Sequence, residues 1–283
     1  MFSEEFTRIE ELPLNTNVRV LGSNADGLAA LEKPAGAMSH PNRSEDIKRS
    51  LLRASYDYEG EFYFWKNEDG VERKVWLINR LDSPTSGVIL VGLNPEIAKV
   101  IKLEFSTHKV TKIYHALVRH PPVKPAGAWS DIISKDLLNS GRVIKRGRQI
   151  RAKSSYHTVS KPVGGFPIAM LKLTPLTGRT HQLRIQCKKH GHPIVGDRNY
   201  GSFSFNKEVA LETGEKRMML HSSEVIVNYT YKGKVRTFQA RSELPEAFNM
   251  VMRFRPGMKP LAAAPAPEKA VPDILEGRRF KPV

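Results

Sequence analysis

The 283-residue chain is 40% hydrophobic and 26% charged, which is ordinary for a globular protein and excludes a largely disordered one. Its 45 Lys and Arg residues exceed its 29 Asp and Glu residues, and the formal net charge of +16 favours polyanionic partners, with nucleic acid the first candidate. The single cysteine, Cys187, excludes an internal disulfide and a cysteine-based zinc site.

No apolar run in the sequence is long enough to span a bilayer. The first six residues are acidic and lack the basic and apolar parts of a signal peptide. No basic amphipathic helix with exposed aromatic side chains indicates binding to a membrane surface. The sequence therefore predicts a cytoplasmic protein without membrane association.

The first part of the chain predicts strands followed by a fixed loop. Residues 1–17 are rich in turn-forming residues and predict a loosely ordered lead-in. Residues 18–21 and 28–31 are typical of strands. The next loop contains two prolines and a glycine and carries Lys33 and His40, which either approach a phosphate or an active site or lie on an ordinary surface.

Two helices and three strands are predicted around a central turn. A helix is predicted from Ser44, a favourable capping residue. Strand-like runs at residues 61–66 and 74–78 lead into the turn, and the apolar run at 88–91 leaves it. A second helix begins at Pro95, because proline is tolerated in the first helical turn.

The central turn, residues 79–87, presents an arginine and a carboxylate two residues apart. Arg80 is the arginine, and Asp82 is the one carboxylate of the turn. A turn held between buried strands is where a rigid scaffold presents reactive groups. The alternative is that Asp82 only caps its own backbone, as Asp commonly does in turns.

A strand at residues 111–118 places Lys112 and Tyr114 on one face, because side chains alternate along a strand. The tyrosine either packs in the core or offers a flat surface for a nucleobase. Residues 120–150 are rich in Pro, Gly and basic side chains and are either a solvated surface or an RNA-contacting loop. The cations concentrated in this region are Arg142, Lys145, Arg146 and Arg148.

A second dense stretch predicts a helix that begins near Thr177 or Gly178 and stops at Gly191. His181, Arg184 and Lys188 would then share one helical face, from spacing alone. The alternative is a plain basic surface helix. Further strands are predicted at residues 156–160, 168–173, 224–229 and 235–240, with turns at 192–201 and a closing helix over 244–252.

Four motif blocks occur in order along the chain. They are Lys33-Pro34-Ala35-Gly36 with His40-Pro41, Arg80-Leu81-Asp82 with Thr85-Ser86-Gly87, Lys112-Ile113-Tyr114 with Ala116, and Gly178-Arg179-Thr180-His181-Gln182-Leu183-Arg184 followed by Gly196-Asp197. Together they resemble the RluA-type pseudouridine synthases, which isomerise uridine in structured RNA. Leu220-His221 matches a weaker closing signature, and Asn79 departs from the histidine that usually precedes Arg-Leu-Asp in that family.

The resemblance implies an α+β fold in which one mixed, mainly antiparallel, bent sheet with flanking helices surrounds a central catalytic cleft. The strand-rich pattern with few helices agrees with this class. The expected organisation is a lead-in over residues 1–17, a pseudouridine synthase catalytic domain over 18–255, and a flexible Ala/Pro-rich and basic tail over 256–283.

The resemblance also implies the roles of the site residues. Asp82 is the expected nucleophile, which either attacks the ribose anomeric carbon or takes the 2′ proton. Arg184 would pair with it and hold it ionised and aimed. Tyr114 would stack on the flipped base and is a candidate for helping to remove the final proton. The expected RNA contacts are Arg80, which would fill the gap left by the flipped nucleotide, and Lys33, His40, Lys112, Arg179, His181, Arg142, Lys145, Arg146 and Arg148.

The expected reaction needs no cofactor and no metal, and the sequence offers no Gly-rich phosphate loop or metal-ligand set. The expected partner is an rRNA or tRNA stem-loop, bound by a monomer. The alternative function is a non-catalytic RNA-binding protein that retains the same fold. A metal-dependent nuclease or phosphoesterase is less favoured, because only Asp82 and Asp197 are carboxylates in candidate motifs.

Overall fold

The computed structural model describes residues 6–133, 137–139, 142–145 and 149–257. Its strands are β1 (Arg19–Ser23), β2 (Leu28–Lys33), β3 (Ser55–Asp57), β4 (Phe62–Lys66), β5 (Glu72–Leu77), β6 (Ser86–Gly92), β7 (Thr111–Arg119), β8 (Ala126–Ile133), β9 (Leu137–Asn139), β10 (Arg142–Lys145), β11 (Ile150–Ser160), β12 (Ile168–Pro175), β13 (Leu220–Tyr231) and β14 (Lys234–Arg241). Its α-helices are α1 (Pro95–Ser106), α2 (Gln182–Lys189), α3 (Phe203–Thr213) and α4 (Glu246–Arg253), and its 3₁₀ helices are Ile9–Glu11 and Ser44–Arg49.

Twelve of these strands form one sheet. Its main path runs β3-β4-β5-β6-β13-β7-β12-β11-β8, with β2 also pairing with β6, β1 with β2, and β14 with β13. Strands β9 and β10 form a separate pair. All the pairings are antiparallel except that of β6 with β13, which is parallel. The predicted mixed, mainly antiparallel α+β sheet is therefore confirmed.

Strand β6 is buried along its whole length because it has apolar neighbours on both faces. Val88 and Leu90 pack in the cluster that contains Ile97 of α1, whereas Ile89 and Val91 pack in the opposite cluster with residues of β2, β4 and β5. This explains why the sequence shows a continuous apolar run rather than alternation. A third cluster joins β7 and β12 to helices α2, α3 and α4.

The predicted lead-in is attached to the domain in its described part, contrary to the expectation of loose order. The Thr7 hydroxyl donates to the Lys74 carbonyl at 2.7 Å, and Leu12 is buried in the cluster of β2, β4 and β5. The Asn15 side-chain amide donates to the carbonyls of Ile47 and Ser50 at 2.7 and 3.0 Å. These contacts satisfy polar groups that a loose segment would leave in water.

Helix α1 begins as predicted, with Asn94 accepting from the Ile97 amide at 2.8 Å. The helix predicted from Ser44 is instead a short 3₁₀ helix that ends at Arg49. Strand β8 and helix α3 were not predicted. Burial in the second half of β8 alternates between successive residues, as in a strand, and the buried Phe205 and Val209 of α3 are four residues apart, as on one face of a helix. Among the described residues, no helix is long and apolar enough to cross a membrane.

The parallel pairing of β6 with β13 depends on a glycine. Gly87 has a φ of +112°, and a Cβ atom at this position would lie 2.1 Å from the Ser222 carbonyl oxygen. Ser222 is the register partner of Gly87. Only a residue without a side chain permits this approach, and the strand therefore enters the sheet directly after the turn that carries Asp82.

We expect Gly87→Ala to lower the free energy of unfolding by about 3 kcal/mol or more, because it combines a strained φ with a backbone clash. Gly36→Ala is the matched control, since Gly36 has a φ of +90° but nothing within 4 Å of an added Cβ. Gly36→Ala should lower the free energy of unfolding by only about 1–2 kcal/mol, the cost of the backbone strain alone. Equal losses in chemical denaturation would contradict the importance of the β6–β13 contact.

Candidate active site

Asp82 lies in the turn between β5 and β6, which hydrogen bonds hold from several sides. The Thr85 amide donates to the Asp82 carbonyl at 2.9 Å. The Leu81 amide donates to the Ser39 hydroxyl oxygen at 3.0 Å, and that hydroxyl donates to the Leu81 carbonyl at 2.8 Å. Asn79, where the family usually has histidine, accepts from the Leu90 amide at 2.7 Å. The turn is thus rigidly positioned.

Lys33, which was predicted to contact RNA, is buried, and its amine holds together the segments around Asp82. Its side chain is 0% exposed, and its ammonium donates to the carbonyls of Pro34, Ala37 and Ser83 at 3.0, 2.7 and 3.0 Å. Burial lowers the pKa of Lys33 to about 7, against the opposing effect of the Asp82 charge. With all three donors used, the amine ties its own loop to the turn of Asp82.

Arg184 on α2 binds two carboxylates at once. Its Nη1 donates to Asp82 Oδ2 at 3.0 Å, which confirms that these two residues meet. Its Nε and Nη2 donate to Oδ2 and Oδ1 of Asp197 at 2.7 and 2.9 Å, in the bidentate geometry favoured by guanidinium and carboxylate. The Arg184 side chain is 5% exposed and that of Asp82 25% exposed, so the pair lies at the boundary of the interior.

Asp197 is the fixed partner in this arrangement. Its side chain is fully buried, and Oδ1 also accepts from the amides of Asn199 and Tyr200 at 2.9 and 3.0 Å. Burial by itself would raise the pKa of Asp197, but the hydrogen bonds from Arg184 and from the Tyr200 amide, with the Arg184 charge, hold that pKa below its usual value. Asp197 therefore stays ionised and orients Arg184 toward Asp82.

His181 precedes α2 instead of lying within it. Its φ of +54° is left-handed, so the helix begins at Gln182, and the predicted helical face of His181, Arg184 and Lys188 is wrong. The imidazole nevertheless reaches the site. Its Nε2 is 3.8 Å from Asp82 Oδ1, and its Nδ1 is 3.1 Å from the Tyr200 hydroxyl. The predicted end of the helix before Gly191 is confirmed, with a φ of +84° at that glycine.

Tyr114 lies on β7 and is partly buried against the cluster that joins β7 and β12 to α2, α3 and α4. Burial raises the pKa of Tyr114 to about 12, and the Asp82 charge acts in the same direction. The phenol is therefore protonated at neutral pH. Tyr114 and Ser222 are register partners in the pairing of β7 with β13, so the strand that meets Gly87 also flanks the tyrosine.

A buried polar network supports the turn from β13. The Ser86 hydroxyl accepts from Arg217 Nη2 at 2.6 Å and lies 2.8 Å from His221 Nδ1. Because His221 Nε2 lies 3.2 Å from the Ser242 carbonyl, which can only accept, Nε2 carries the proton and Nδ1 accepts from Ser86. Burial lowers the pKa of His221 to about 4, so the ring is neutral near pH 7. The Leu220-His221 signature thus supports the site without touching the cleft.

The other residues predicted to contact RNA differ in exposure. Arg80 is exposed, and His40 is half-buried and stacks on Tyr56 with ring centroids 4.8 Å apart. Arg179 is half-buried before α2, while Lys112 is largely buried. Arg146 and Arg148 lie outside the described residues. For Arg142 and Lys145 only the backbone is described, in β10.

Among the residues that the structure describes, none donates a hydrogen bond to Oδ1 of Asp82. Arg184 binds Oδ2, whereas the 3.8 Å separation of Oδ1 from His181 is longer than a hydrogen bond. A partly exposed, oriented carboxylate suits nucleophilic or proton-abstracting chemistry on a small group that enters the cleft. Oδ1 of Asp82 is therefore the candidate reactive atom of this site.

Sequence reasoning missed two members of this site. Asp197 appeared in a motif block but without a role, and Ser39 was not considered. Asp197 is 13 residues from Arg184 and Ser39 is 42 residues from Leu81, so no local period connects either pair. The only available signal was that Gly196-Asp197 follows the arginine block in the family pattern.

Comparisons with known proteins agree with this geometry. The family model described as RNA pseudouridylate synthase matches residues 27–189, more than half of the chain. A tRNA pseudouridine synthase C of Yersinia pestis is 31% identical over 229 residues, covering 77% of this chain and 84% of that protein. A tRNA pseudouridine synthase C of Haemophilus ducreyi is 30% identical over 236 residues, covering 80% and 91%.

Solved structures show the same fold at lower identity. Human RNA Pseudouridylate Synthase Domain Containing 4 matches with a TM-score of 0.57 and 22% identity, covering 82% of this chain and 90% of that one. Human RNA Pseudouridylate Synthase Domain Containing 1 matches with a TM-score of 0.56 and 21% identity, covering 83% and 94%. The family match and the similarity over most of the chain confirm the predicted RluA-type resemblance: the chain belongs to the RNA pseudouridylate synthase family and is an RNA pseudouridine synthase.

Proposed function

We propose that Asp82 is the nucleophile with which this enzyme converts uridine to pseudouridine in tRNA. The observation that carries the proposal is the double ion pair of Arg184, which holds Asp82 by one oxygen and leaves Oδ1 available. Attack on the anomeric carbon and removal of the 2′ proton both use this same oxygen. In either route the N-glycosidic bond breaks, the uracil turns, and its C5 bonds to the ribose with loss of the C5 proton.

Arg184 and Asp197 act as positioning residues for the nucleophile. Asp197 accepts from Nε and Nη2 of Arg184. This fixes the orientation of the guanidinium, so that its third nitrogen, Nη1, points toward Asp82. A carboxylate held by a charge-assisted hydrogen bond keeps one orientation while substrate enters. His181 closes the other side of the carboxylate at 3.8 Å, in a position suited to contact the entering nucleotide.

Tyr114 is proposed to stack on the flipped uracil. Its pKa of about 12 keeps the phenol protonated, which makes it a poor acceptor for the C5 proton. We therefore favour the stacking role over the proton-removing role that the resemblance also allowed. The released carboxylate of Asp82 is then the acceptor best placed for that proton.

The proposed substrate is tRNA rather than rRNA, because the relatives that share about 30% identity over most of their length are named tRNA pseudouridine synthase C. Exposed Arg80 and half-buried His40, Arg179 and His181 are proposed to contact the RNA around the target uridine. We further propose that the enzyme acts in the cytoplasm as a monomer. Gel filtration with and without unmodified tRNA transcripts would test the monomeric state.

We propose residues 18–255 as the catalytic domain, with the lead-in contacts of Thr7 and Leu12 adding to its stability. The Ala/Pro-rich composition of residues 256–283 is poor in groups that could add to a core. A chain ending at Gly257 should therefore keep wild-type kcat on tRNA transcripts. A loss of more than about tenfold, with unchanged thermal stability, would show that the tail takes part in the reaction.

We expect Asp82→Asn to lower kcat by a factor on the order of 10⁴ or more, because it removes the reacting carboxylate. RNA affinity should change by less than a few fold. The measurement is nucleoside analysis of unmodified tRNA transcripts, with rRNA fragments in parallel. Asp69→Asn, an exposed aspartate in the β4–β5 turn, is the matched control and should retain full activity. Pseudouridine formation by Asp82→Asn at a near wild-type rate would contradict the assignment.

Arg184→Lys and Asp197→Asn should both lose most activity, since an ammonium cannot bind two carboxylates in this forked geometry and an amide cannot orient the guanidinium. Asp197→Asn should also lower the free energy of unfolding by about 3–5 kcal/mol, because it removes the buried partner of a buried charge. Asp82→Asn should cost much less, since Arg184 keeps its bidentate contact with Asp197.

The pH dependence gives an independent check on Asp197. Its folded pKa is below the ordinary value of 3.8, so its contribution to stability is present above that value and is lost as pH falls through the lower folded pKa. The free energy of unfolding, measured from pH 6 downward, should therefore fall less steeply with pH for Asp197→Asn than for the wild type. An equal fall in both proteins would contradict the charged state assigned to Asp197.

A further inference from the structure

A buried carboxylate on β8 binds the C-terminal half of helix α2. Asp131 is 6% exposed, and its Oδ2 accepts from Gln186 Nε2 at 3.0 Å. His190 Nε2 lies 3.0 Å from the same oxygen and donates to it, since an ionised carboxylate can only accept. Lys189 Nζ lies 3.0 Å from Oδ1. Burial by itself would raise the pKa of Asp131, but these three donors hold it at about 2, so the group is ionised at neutral pH.

The same half of α2 is also attached to β11, the neighbour of β8 in the sheet. Gln186 is fully buried, its Oε1 accepts from the Ser154 hydroxyl at 2.7 Å, and its Nε2 lies 3.4 Å from the Ala152 carbonyl. The His190 ring stacks on Trp129 of β8, with ring centroids 4.8 Å apart and planes 9° from parallel. Two neighbouring strands thus hold one side of the helix through polar and aromatic contacts.

Arg184 lies on the other side of α2. It precedes Gln186 by two residues, which is about 200° around a helix of 3.6 residues per turn. The side chain therefore faces away from Asp131 and toward Asp197 and Asp82, to which its nitrogens donate at 2.7, 2.9 and 3.0 Å. A rotation or shift of the helix relative to β8 and β11 would move the guanidinium relative to both carboxylates.

Helix α2 is too short to fix its own position. It has 8 residues, and His181 at its N-cap supplies no side-chain capping hydrogen bond. A helix of this length is marginal by itself in water and takes its stability from tertiary contacts. At its N-terminal end the Gln182 side-chain amide donates to the Lys153 carbonyl at 2.9 Å, so β11 holds that end and Asp131 holds the other. The orientation of Arg184 thus depends on groups from both strands.

We propose that Asp131 is a positioning residue for pseudouridine formation, which acts through α2 to hold Arg184 in the geometry that orients Asp82. The proposal rests on the proposed function for the roles of Arg184 and Asp82. The donors to the Asp131 carboxylate among the described residues all lie on α2 or at its C-cap, so the carboxylate binds the helix rather than its own strand. A misplacement of about 1 Å caused far from the reacting atoms can lower a rate about a hundredfold.

The test is single-turnover pseudouridine formation by the full-length protein on unmodified tRNA transcripts, with RNA affinity measured in parallel. Asp131→Asn should lower the rate constant by about ten- to a hundredfold and change Kd by less than about threefold, because it disturbs the nucleophile rather than the RNA contacts. Asp26→Asn is the matched control. Its carboxylate accepts from the Tyr229 hydroxyl and Arg236 Nε at 2.8 and 2.7 Å, at the end of β2 opposite Lys33. This variant should lower thermal stability without lowering the rate constant.

A double-mutant cycle separates positioning from a purely structural role. If Asp131 acts through Arg184, the rate loss caused by Asp131→Asn should largely disappear when Arg184→Lys is already present, because the forked contact is then gone. A loss of the same factor in both backgrounds would overturn the proposal, as would a wild-type rate constant for Asp131→Asn.

Lys189→Met is a second variant that tests the same contact without creating a cavity, since this side chain is 53% exposed. It should lower the rate constant by a smaller factor than Asp131→Asn, and by none when the two are combined. If Asp131→Asn does not fold, a wild-type rate constant for Lys189→Met overturns the proposal.

The outcome is distinguishable from failure of the proposed function. Asp82→Asn and Arg184→Lys test that function and do not involve Asp131. If both lose most activity while Asp131→Asn keeps the wild-type rate constant, only the inference about Asp131 is wrong. If Asp82→Asn keeps a near wild-type rate, the nucleophile assignment is wrong, and the cycle between Asp131 and Arg184 then still decides whether these two residues are linked. If the wild type does not modify tRNA, the tRNA assignment is wrong, and the same cycle is measured on an rRNA fragment.

Discussion

The arrangement of the site depends on one guanidinium shared between two carboxylates. Arg184 is nearly inaccessible to solvent, and such a charge is stable in the interior only if its donors are satisfied. Asp197 accepts from Nε and Nη2 in a bidentate geometry, and Asp82 accepts from Nη1, so each of the three guanidinium nitrogens donates to a carboxylate. The two carboxylates therefore have different tasks. Asp197 is buried and held by four donors, while Asp82 is partly exposed and has one oxygen to which no described residue donates a hydrogen bond.

The turn that carries Asp82 is held by contacts from both sides of the sheet. Gly87 allows the backbone of β13 to approach the turn from one side, and the Ser86–His221 hydrogen bond extends the same contact into the core. Lys33 and Ser39 fasten the first loop to the turn from the other side. Because these contacts come from distant parts of the chain, the position of Asp82 depends on the packing of several strands of the sheet.

Two buried basic side chains show how the interior of this protein accommodates cationic groups. The Lys33 amine donates to three backbone carbonyls, whereas Arg184 is paired with two carboxylates. Both side chains hold segments that are distant in sequence next to the turn of Asp82. The overall excess of positive charge favours long-range attraction of RNA.

The sequence by itself determined most strands of the sheet, because alternating and continuous apolar runs such as residues 88–91 follow from local side-chain periodicity. Its motif blocks, whose order is a linear property, also predicted Asp82, Tyr114 and Arg184 as site residues, and the structure shows that Arg184 and Asp82 meet. It did not determine the start of α2, where the left-handed backbone of His181 breaks the expected helix, or the burial of Lys33. The partnership of Arg184 with Asp197 and the contact of Ser39 with Leu81 were decided by tertiary structure alone. These features depend on which distant groups meet in the folded sheet and on how far water is excluded from them, and neither quantity has a local signal in the chain.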